Sequence, residues 1–400
     1  MDQENKIKEA LERGVEKIYP SRSALEKKLK SGRKIRLYCG FDPTAPTLHI
    51  GNAIQIRKLA QFQKLGHEVI FLLGDFTGMI GDPTDKAAAR KKLTRKEALK
   101  NATNYKKQAG KILKFSGKNP AKFLYNSQWS DKLSFAGLIE IASRFTVQQM
   151  LVRDMFQERI KAKKPIYLHE FLYPLAQAYD SVAMEVDLEV GGNDQTFNML
   201  CGRDLIKALK NKEKFVLTTK LLVDSSGQKV GKTEGKIVNL DIPPAEMFGR
   251  IMAWPDEAIG LGLELCTDIP MAEISQTKEQ IKQARLNPRD AKARLAREIV
   301  SIHHNQKAAQ EAEKEFNLIF KEKKEPSEVS GFKYKDKNAN ILDLLFELKL
   351  VASKGEAKRL IEQGGVKING KITKDWKQQI SLERPIKLQI GKRRFCTVKY

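Results

Sequence analysis

Four cysteines in 400 residues, Cys39, Cys201, Cys266 and Cys396, lie far apart, form no Cys-x-x-Cys pair and have no histidine nearby at zinc spacing. Neither a disulfide framework nor a zinc module is expected, and the thiols fit a reducing, cytoplasmic compartment. No apolar run approaches the length of a membrane span. The amino terminus, Met1-Asp2-Gln3-Glu4-Asn5-Lys6, opens a charged amphipathic helix where a secretory signal would carry an apolar stretch. No membrane partner and no targeting are expected. Two common nucleotide fingerprints are also missing, since the chain has neither Gly-x-x-x-x-Gly-Lys-Ser/Thr nor Gly-x-Gly-x-x-Gly. The commonest phosphate-binding folds are thereby disfavoured.

What is abundant is positive charge. The 73 Lys/Arg outnumber the 49 Asp/Glu and leave a net charge of +24, which attracts polyanions and makes nucleic acid the expected partner. Lysine enrichment also serves solubility, and composition alone leaves both readings open. Distribution favours the first. Residues 84–122 hold 13 Lys/Arg against 2 Asp/Glu, and residues 338–400 hold 14 against 6. Localised charge suggests a track for a phosphate backbone. A chain of 400 residues with 41% hydrophobic content buries enough surface for two or three domains.

Periodicity places these domains. Residues 1–32 read as helix, with Ile7, Leu11, Val15 and Ile18 at helical spacing and Leu25 and Leu29 on a second piece. The apolar runs 35–39 and 68–74, separated by a helical stretch, predict a βαβ unit of a parallel sheet. Residues 188–190 and 216–223 read as further strands, and 84–159 as a charged, mostly helical insertion. Pro243-Pro244 opens helices that run to about Lys323, and Lys321 to Ser327 reads as a solvated linker. The last sixty residues read as helix, helix, tight turn and strand.

Four segments carry residues whose chemistry belongs together. Tyr38-Cys39-Gly40-Phe41-Asp42-Pro43-Thr44 runs into His49-Ile50-Gly51-Asn52, and Tyr173, Gln177 and Asp180 share one helix face. Gly191-Gly192-Asn193-Asp194-Gln195 ends one apolar strand, and Lys229-Val230-Gly231-Lys232-Thr233 follows another. A strand that breaks into a glycine-containing turn and a helix N-terminus offers free N–H groups and the helix dipole to phosphates.

His49 to Asn52 resembles the HIGH signature of class I aminoacyl-tRNA synthetases, and Lys229 to Thr233 resembles their KMSKS loop. With Tyr38, Asp42, Tyr173, Gln177 and Asp180, the set is similar to the pocket of bacterial-type tyrosyl-tRNA synthetases, and the likeness runs from about residue 33 to the C-terminus. The resemblance implies a tyrosine-tRNA ligase, with L-tyrosine, ATP and tRNA(Tyr) as partners. It implies Mg²⁺ accompanying the ATP, no metal site of the protein's own, no DNA partner, and a homodimer with the insertion at the interface. Amino-acid activation needs no general base, because the carboxylate is already ionised at pH 7. The protein's task is positioning and neutralisation of phosphoryl charge.

Roles follow from the same resemblance. Lys229, Lys232 and Thr233, with Lys86 and Arg90, would hold the β- and γ-phosphates, and Thr44, His49 and Asn52 would donate to phosphates. Tyr38 and Asp180 would face the substrate hydroxyl, while Tyr173, Gln177 and Asp82 would take its ammonium. Asp42, Gly51, Gly192, Asp194 and Gln195 would contact nucleotide, ribose and substrate. Asn52 replaces the second histidine of the signature, and Val230 and Gly231 replace methionine and serine of the loop. Glu189 stands where many relatives carry glutamine, and its role stays open.

The expected fold is α/β: a Rossmann-like doubly wound parallel sheet with a helical insertion, then a helical domain, then a small C-terminal α+β RNA-binding domain. The expected boundaries are 1–225 for the catalytic domain with its insertion and 226–325 for the KMSKS-like loop and helical anticodon-side domain. Residues 326–340 are expected as linker and 341–400 as the RNA-binding domain. Two rivals stand beside this reading. A tryptophanyl enzyme shares the core but is disfavoured by the Tyr38/Asp180 pair and the basic C-terminal unit. An RNA-binding module with a vestigial nucleotide core is disfavoured by the intact lysines of the 229–233 loop.

Overall fold

The computed structural model describes residues 3–83, 93–230, 237–320, 330–351, 353–391 and 394–400. The chain divides into two compact units, Met1–Ala309 and Gln310–Tyr400. In the first, six strands form one sheet: β1 (Val15–Tyr19), β2 (Arg36–Phe41), β3 (Glu68–Leu73), β4 (Lys122–Tyr125), β5 (Leu188–Gly192) and β6 (Phe215–Thr219). Their order is β1-β6-β5-β2-β3-β4. All neighbours are parallel except β1, which runs antiparallel to β6. The chain steps outward from β2 to β3 to β4, then returns to β5 on the other side of β2. That reversal opens a crevice beyond the carboxyl ends of the strands, where ligands of such sheets bind.

β5 and β6 are buried at every position and β3 at all but its first, as a parallel sheet covered on both faces requires. Phe41 of β2 stacks on Phe71 of β3 at 4.2 Å between ring centroids, and Phe71 stacks on Phe123 of β4 at 5.1 Å. The helix Ile50–Lys64 connects β2 to β3 and buries Ile50, Ala53, Ile54, Ile56, Leu59, Ala60 and Phe62. Five helices follow the sheet, Pro244–Met252, Ala258–Cys266, Met271–Lys282, Pro288–His303 and Gln306–Phe320. The spacing of Ala291, Leu295, Ile299 and Ile302 predicts one apolar face on the fourth; the first three are buried there and Ile302 is half-buried.

Three expectations are corrected. Val15 and Ile18 do not continue the first helix, which ends at Glu12. Gly14 adopts φ +66°, and a Cβ there would lie 2.7 Å from Leu265, so the chain turns and enters β1 instead. The insertion contains an edge strand, β4, because Phe123 pairs with Phe71. Within the expected linker, Ser330–Lys333 and Asn338–Asn340 are strands, and Phe332 and Tyr334 pack on the core of the small unit.

Arg13 fastens the amino-terminal segment. Its buried guanidinium donates to the carbonyls of Leu263, Glu264, Thr267 and Ile269 at 3.1, 2.9, 2.6 and 2.7 Å, which occupies the exposed carbonyl end of the helix Ala258–Cys266.

In the small unit the helices Ile341–Glu347 and Lys354–Glu362 cover a five-stranded sheet. Strands Val366–Ile368 and Lys371–Thr373 are joined through Asn369 and Gly370 at φ +49° and +83°, a positive-φ pair that Asn-Gly adopts readily. Ile341, Leu344, Leu345, Ala357, Ile361, Val366, Leu388 and Val398 form its core. Among the described residues no helix is long and apolar enough to cross a membrane.

Candidate active site

One cleft opens at the carboxyl ends of β2, β3, β5 and β6. Tyr38, Asp42, Thr44, His49, Gly51, Asn52, Asp82, Tyr173, Gln177, Asp180, Gly192, Asp194, Gln195 and Lys229 all line it. Every candidate residue that is described therefore falls in one place. Lys86, Arg90, Lys232 and Thr233 lie outside the described residues.

The floor is a buried hydrogen-bond network. Asp42, just past β2, accepts from the Thr77 hydroxyl at 2.6 Å and from the Tyr173 hydroxyl at 2.9 Å. Asn126, fully buried after β4, donates to Thr77 at 3.0 Å and to Asp180 at 3.3 Å and accepts the Phe76 N–H at 2.9 Å. Trp129 donates its indole N–H to Asp180 at 2.7 Å. Burial pushes the Asp180 carboxyl well above the usual range, against these two donors. Burial likewise raises Tyr38 and Tyr173 well above the ordinary phenol range, so both stay protonated.

The wall beside this floor is built around the start of the helix Ile50–Lys64. His49 sits at the N-cap of the helix Ile50–Lys64, and the Asn52 side-chain oxygen accepts the His49 N–H at 3.0 Å. Asn52 thus holds the turn with its oxygen and keeps its amide NH₂ as a donor. The stretch after residue 236 is stitched to this turn, since Ile50 donates to Val238 and Leu240 to Leu48, both at 2.9 Å. On the other side, Val230 N–H donates to the Leu222 carbonyl at 2.8 Å. Both approaches to residues 231–236 are therefore anchored at the cleft. Lys229 pairs with Asp194 at 2.5 Å, and Gln195 donates to Asp82 at 2.6 Å. The arrangement offers a polar pocket for a hydroxylated ring beside a helix N-terminus and a cationic loop suited to phosphates.

Comparison with known proteins gives the same answer for the whole chain. A family model described as tRNA synthetases class I (W and Y) matches residues 30–321, and one described as the tyrosine–tRNA ligase SYY-like C-terminal domain matches 321–398. The tyrosine–tRNA ligase of Carboxydothermus hydrogenoformans is 44% identical over 98% of this chain and 97% of its own. That of Haemophilus influenzae is 42% identical over 99% and 97%.

The chain belongs to the tyrosine–tRNA ligase family.

Solved structures agree. A C-terminally truncated mitochondrial tyrosyl-tRNA synthetase of Coccidioides posadasii superposes with a TM-score of 0.63 at 27% identity, covering 77% of this chain and 91% of its own. The tyrosyl-tRNA synthetase of Archaeoglobus fulgidus, complexed with L-tyrosine, shares the fold with a TM-score of 0.60 over 78% of this chain and all of its own.

Several residues that support the tyrosyl-tRNA synthetase cleft escaped the sequence reading: Thr77, Asn126, Trp129, Ser181 and Lys214. Ser181 follows Asp180 and was within reach of inspection. Lys214 sits among Lys212 and Glu213 in a lysine-rich chain and carried no signal of its burial.

Asp42 yields a pH-dependent prediction. Burial raises its carboxyl from 3.8 to about 7, against hydrogen bonds from Thr77 and Tyr173. Below about pH 4 the group is protonated in folded and unfolded chains alike. From there to about 7 only the unfolded chain ionises, so stability falls as pH rises through that window. Asp42→Asn loses one hydrogen bond at every pH but lacks this slope. The stability of the wild type relative to Asp42→Asn should therefore drop by about 2–3 kcal/mol between pH 5 and pH 8, read by urea unfolding. A pH-independent difference would contradict the raised carboxyl.

Proposed function

We infer that this chain is a tyrosine–tRNA ligase that joins L-tyrosine to ATP, releasing pyrophosphate, and passes the tyrosyl group to the 3′-terminal ribose of tRNA(Tyr). The observation that carries the reading is the meeting, in one cleft, of the buried Tyr38/Asp180 floor with the His49 turn and Lys229. A substrate phenol there would have a hydroxyl donor and a carboxylate acceptor, and a ring without the hydroxyl would leave both buried groups unpaired.

In this reading Tyr38 and Asp180 hold the hydroxyl, while Tyr173, Gln177 and Asp82 hold the ammonium, with Gln195 bracing Asp82. Thr44, His49, Gly51 and Asn52 receive the phosphates, Asp42, Gly192 and Asp194 the ribose side, and Lys229 the pyrophosphate as it leaves. Lys86, Arg90, Lys232 and Thr233 are proposed for the same phosphates from their sequence positions. Mg²⁺ enters with ATP as part of the substrate.

The partner assignments follow from surfaces. On the insertion Phe135 is 78% exposed, with Ile139, Val147 and Val152 also exposed, and just after it Tyr167 and Leu168 are exposed, Leu168 to 83%. So much exposed apolar area in one region marks a protein interface, and we assign it to a second copy of this chain. The basic small unit is assigned to tRNA.

Three outcomes test this. Tyrosine-dependent ATP–pyrophosphate exchange is expected from the wild type, and exchange with tryptophan alone, or with no aromatic amino acid, would sink the reading. Lys229→Ala should lower the rate of activation by about 10²-fold or more while tyrosine affinity changes little, because the cation acts on charge that develops in the transition state. Phe135→Asp should sediment as a monomer where the wild type sediments as a dimer, and a wild-type monomer would remove the interface assignment.

Truncation after Phe320 removes the small unit except for its part of the helix Gln306–Phe320. Pyrophosphate exchange should survive, transfer to tRNA should fall, and the remaining tRNA affinity should depend less steeply on salt because fewer counterions are released. Full charging with an unchanged salt slope would reassign the small unit.

A further inference from the structure

Beneath the Tyr38 end of the cleft lies an ion pair to which no role has yet been given. Lys214, fully buried at the start of β6, donates to Glu189 on β5, to the Ser181 hydroxyl at 2.7 Å and to the Met199 carbonyl at 3.2 Å. All three ammonium protons are engaged. Glu189, 2% exposed, also accepts from the Gln177 amide at 2.9 Å. Ser181 Oγ lies 3.0 Å from the Tyr38 hydroxyl and 3.4 Å from Glu189. Gly202 makes room for the cation, since a Cβ there would sit 2.5 Å from Lys214 Nζ and 2.8 Å from Ser181 Oγ.

Stability alone gives no reason for this pair. Desolvating two charges is costly, and apolar replacements of similar volume are often neutral or stabilising. What apolar side chains cannot supply is direction. Tyr38 and Gln177, assigned above to opposite ends of the substrate, both rest on this one pair.

We propose that Lys214 heads a one-way hydrogen-bond chain, Lys214 to Ser181 to Tyr38, that fixes Tyr38 as a donor to the substrate hydroxyl and so sets tyrosine specificity. Lysine has only donors, so Ser181 Oγ accepts from it. The Ser181 proton then has two acceptors in range. The Tyr38 oxygen is the nearer, at 3.0 Å against 3.4 Å for the Glu189 oxygen that also accepts from Lys214. Tyr38 accepts from Ser181 and keeps its own proton for the cleft. A substrate phenol oxygen receives that proton's hydrogen bond and donates its own to Asp180. Were Tyr38 to donate to Ser181 instead, it would offer the substrate only lone pairs beside a second acceptor. The Glu189 arm acts in parallel: it takes one N–H of Gln177 and commits that amide's oxygen to the remaining, cleft-side partner, a cation. Lys214, Ser181 and Glu189 are positioning residues, acting through Tyr38 and Gln177.

This rests on the assignment of Tyr38 and Asp180 to the substrate hydroxyl, and the experiment separates the two. Pyrophosphate exchange is measured with tyrosine and with phenylalanine for the wild type, for Ser181→Ala, which keeps the ion pair, and for the double variant Lys214→Met/Glu189→Gln, which removes both charges together. In both variants kcat/KM for tyrosine should fall about tenfold, the worth of one hydrogen bond, through KM. The KM for ATP and kcat/KM for phenylalanine should stay unchanged, so the tyrosine-to-phenylalanine ratio falls by the same factor. A merely structural role would lower both amino acids in parallel. Parallel loss, or an unchanged ratio, overturns the donor chain while leaving the functional reading intact. Absence of tyrosine exchange in the wild type overturns both.

Discussion

The site depends on one constraint, that carboxylates and phenols taken out of water must find every partner within the protein. Asn126 meets most of that demand. It touches Thr77, Asp180 and the Phe76 backbone, and through Thr77 it reaches Asp42. These groups come from the ends of β2, β3 and β4 and from the helix Leu168–Ala183. The sheet must close in its observed order before any of them is satisfied. Fold and pocket are therefore one energetic object, and a loose sheet would leave several buried polar atoms unpaired at once.

The switch in strand order explains why a chain without the usual glycine fingerprints still brings a helix N-terminus to the cleft. β2 ends at Phe41 and the chain turns to His49, so the helix Ile50–Lys64 begins at the cleft and brings the positive end of its dipole there. The stretch that leaves residues 231–236 pairs with Leu48 and Ile50, and the stretch that enters them pairs with Leu222. The described residues on either side of 231–236 are thus both held at the cleft. The Asn52 oxygen, spent on the His49 backbone, stabilises the turn in which it sits.

How much of this was legible in the chain varied with the physics. Apolar runs and glycine breaks gave β2, β3, β5 and the helix between the first two, because burial on both faces leaves a continuous signal. The described candidate site residues all line one cleft. What escaped was whatever depends on distant partners. Val15 and Ile18 fit a helix until Gly14 turns the chain, and β4 is recognisable only beside Phe71. Ser330–Lys333 is too short and polar to announce itself as a strand. Lys214 is the sharpest case: among so many lysines, nothing local distinguishes a cation that ends fully buried from one that stays in water.

Glycine at the cleft floor has a consequence for how such a pocket can drift over evolutionary time. At Gly74 a single added carbon would fall 1.9 Å from the Asp42 carboxylate and 2.4 Å from the Thr77 hydroxyl. No rotamer of a replacement avoids this, because the clash begins at Cβ. Gly191 and Gly192 are less confined, since a Cβ there would meet the ends of the Met199 and Asp194 side chains, at 2.8 and 2.5 Å. The floor is thereby closed to gradual substitution, and novelty in ligand choice has to enter through the side walls, where residues such as Gln177 and Gln195 can be exchanged without moving the backbone. The pocket's adaptability is confined to its perimeter.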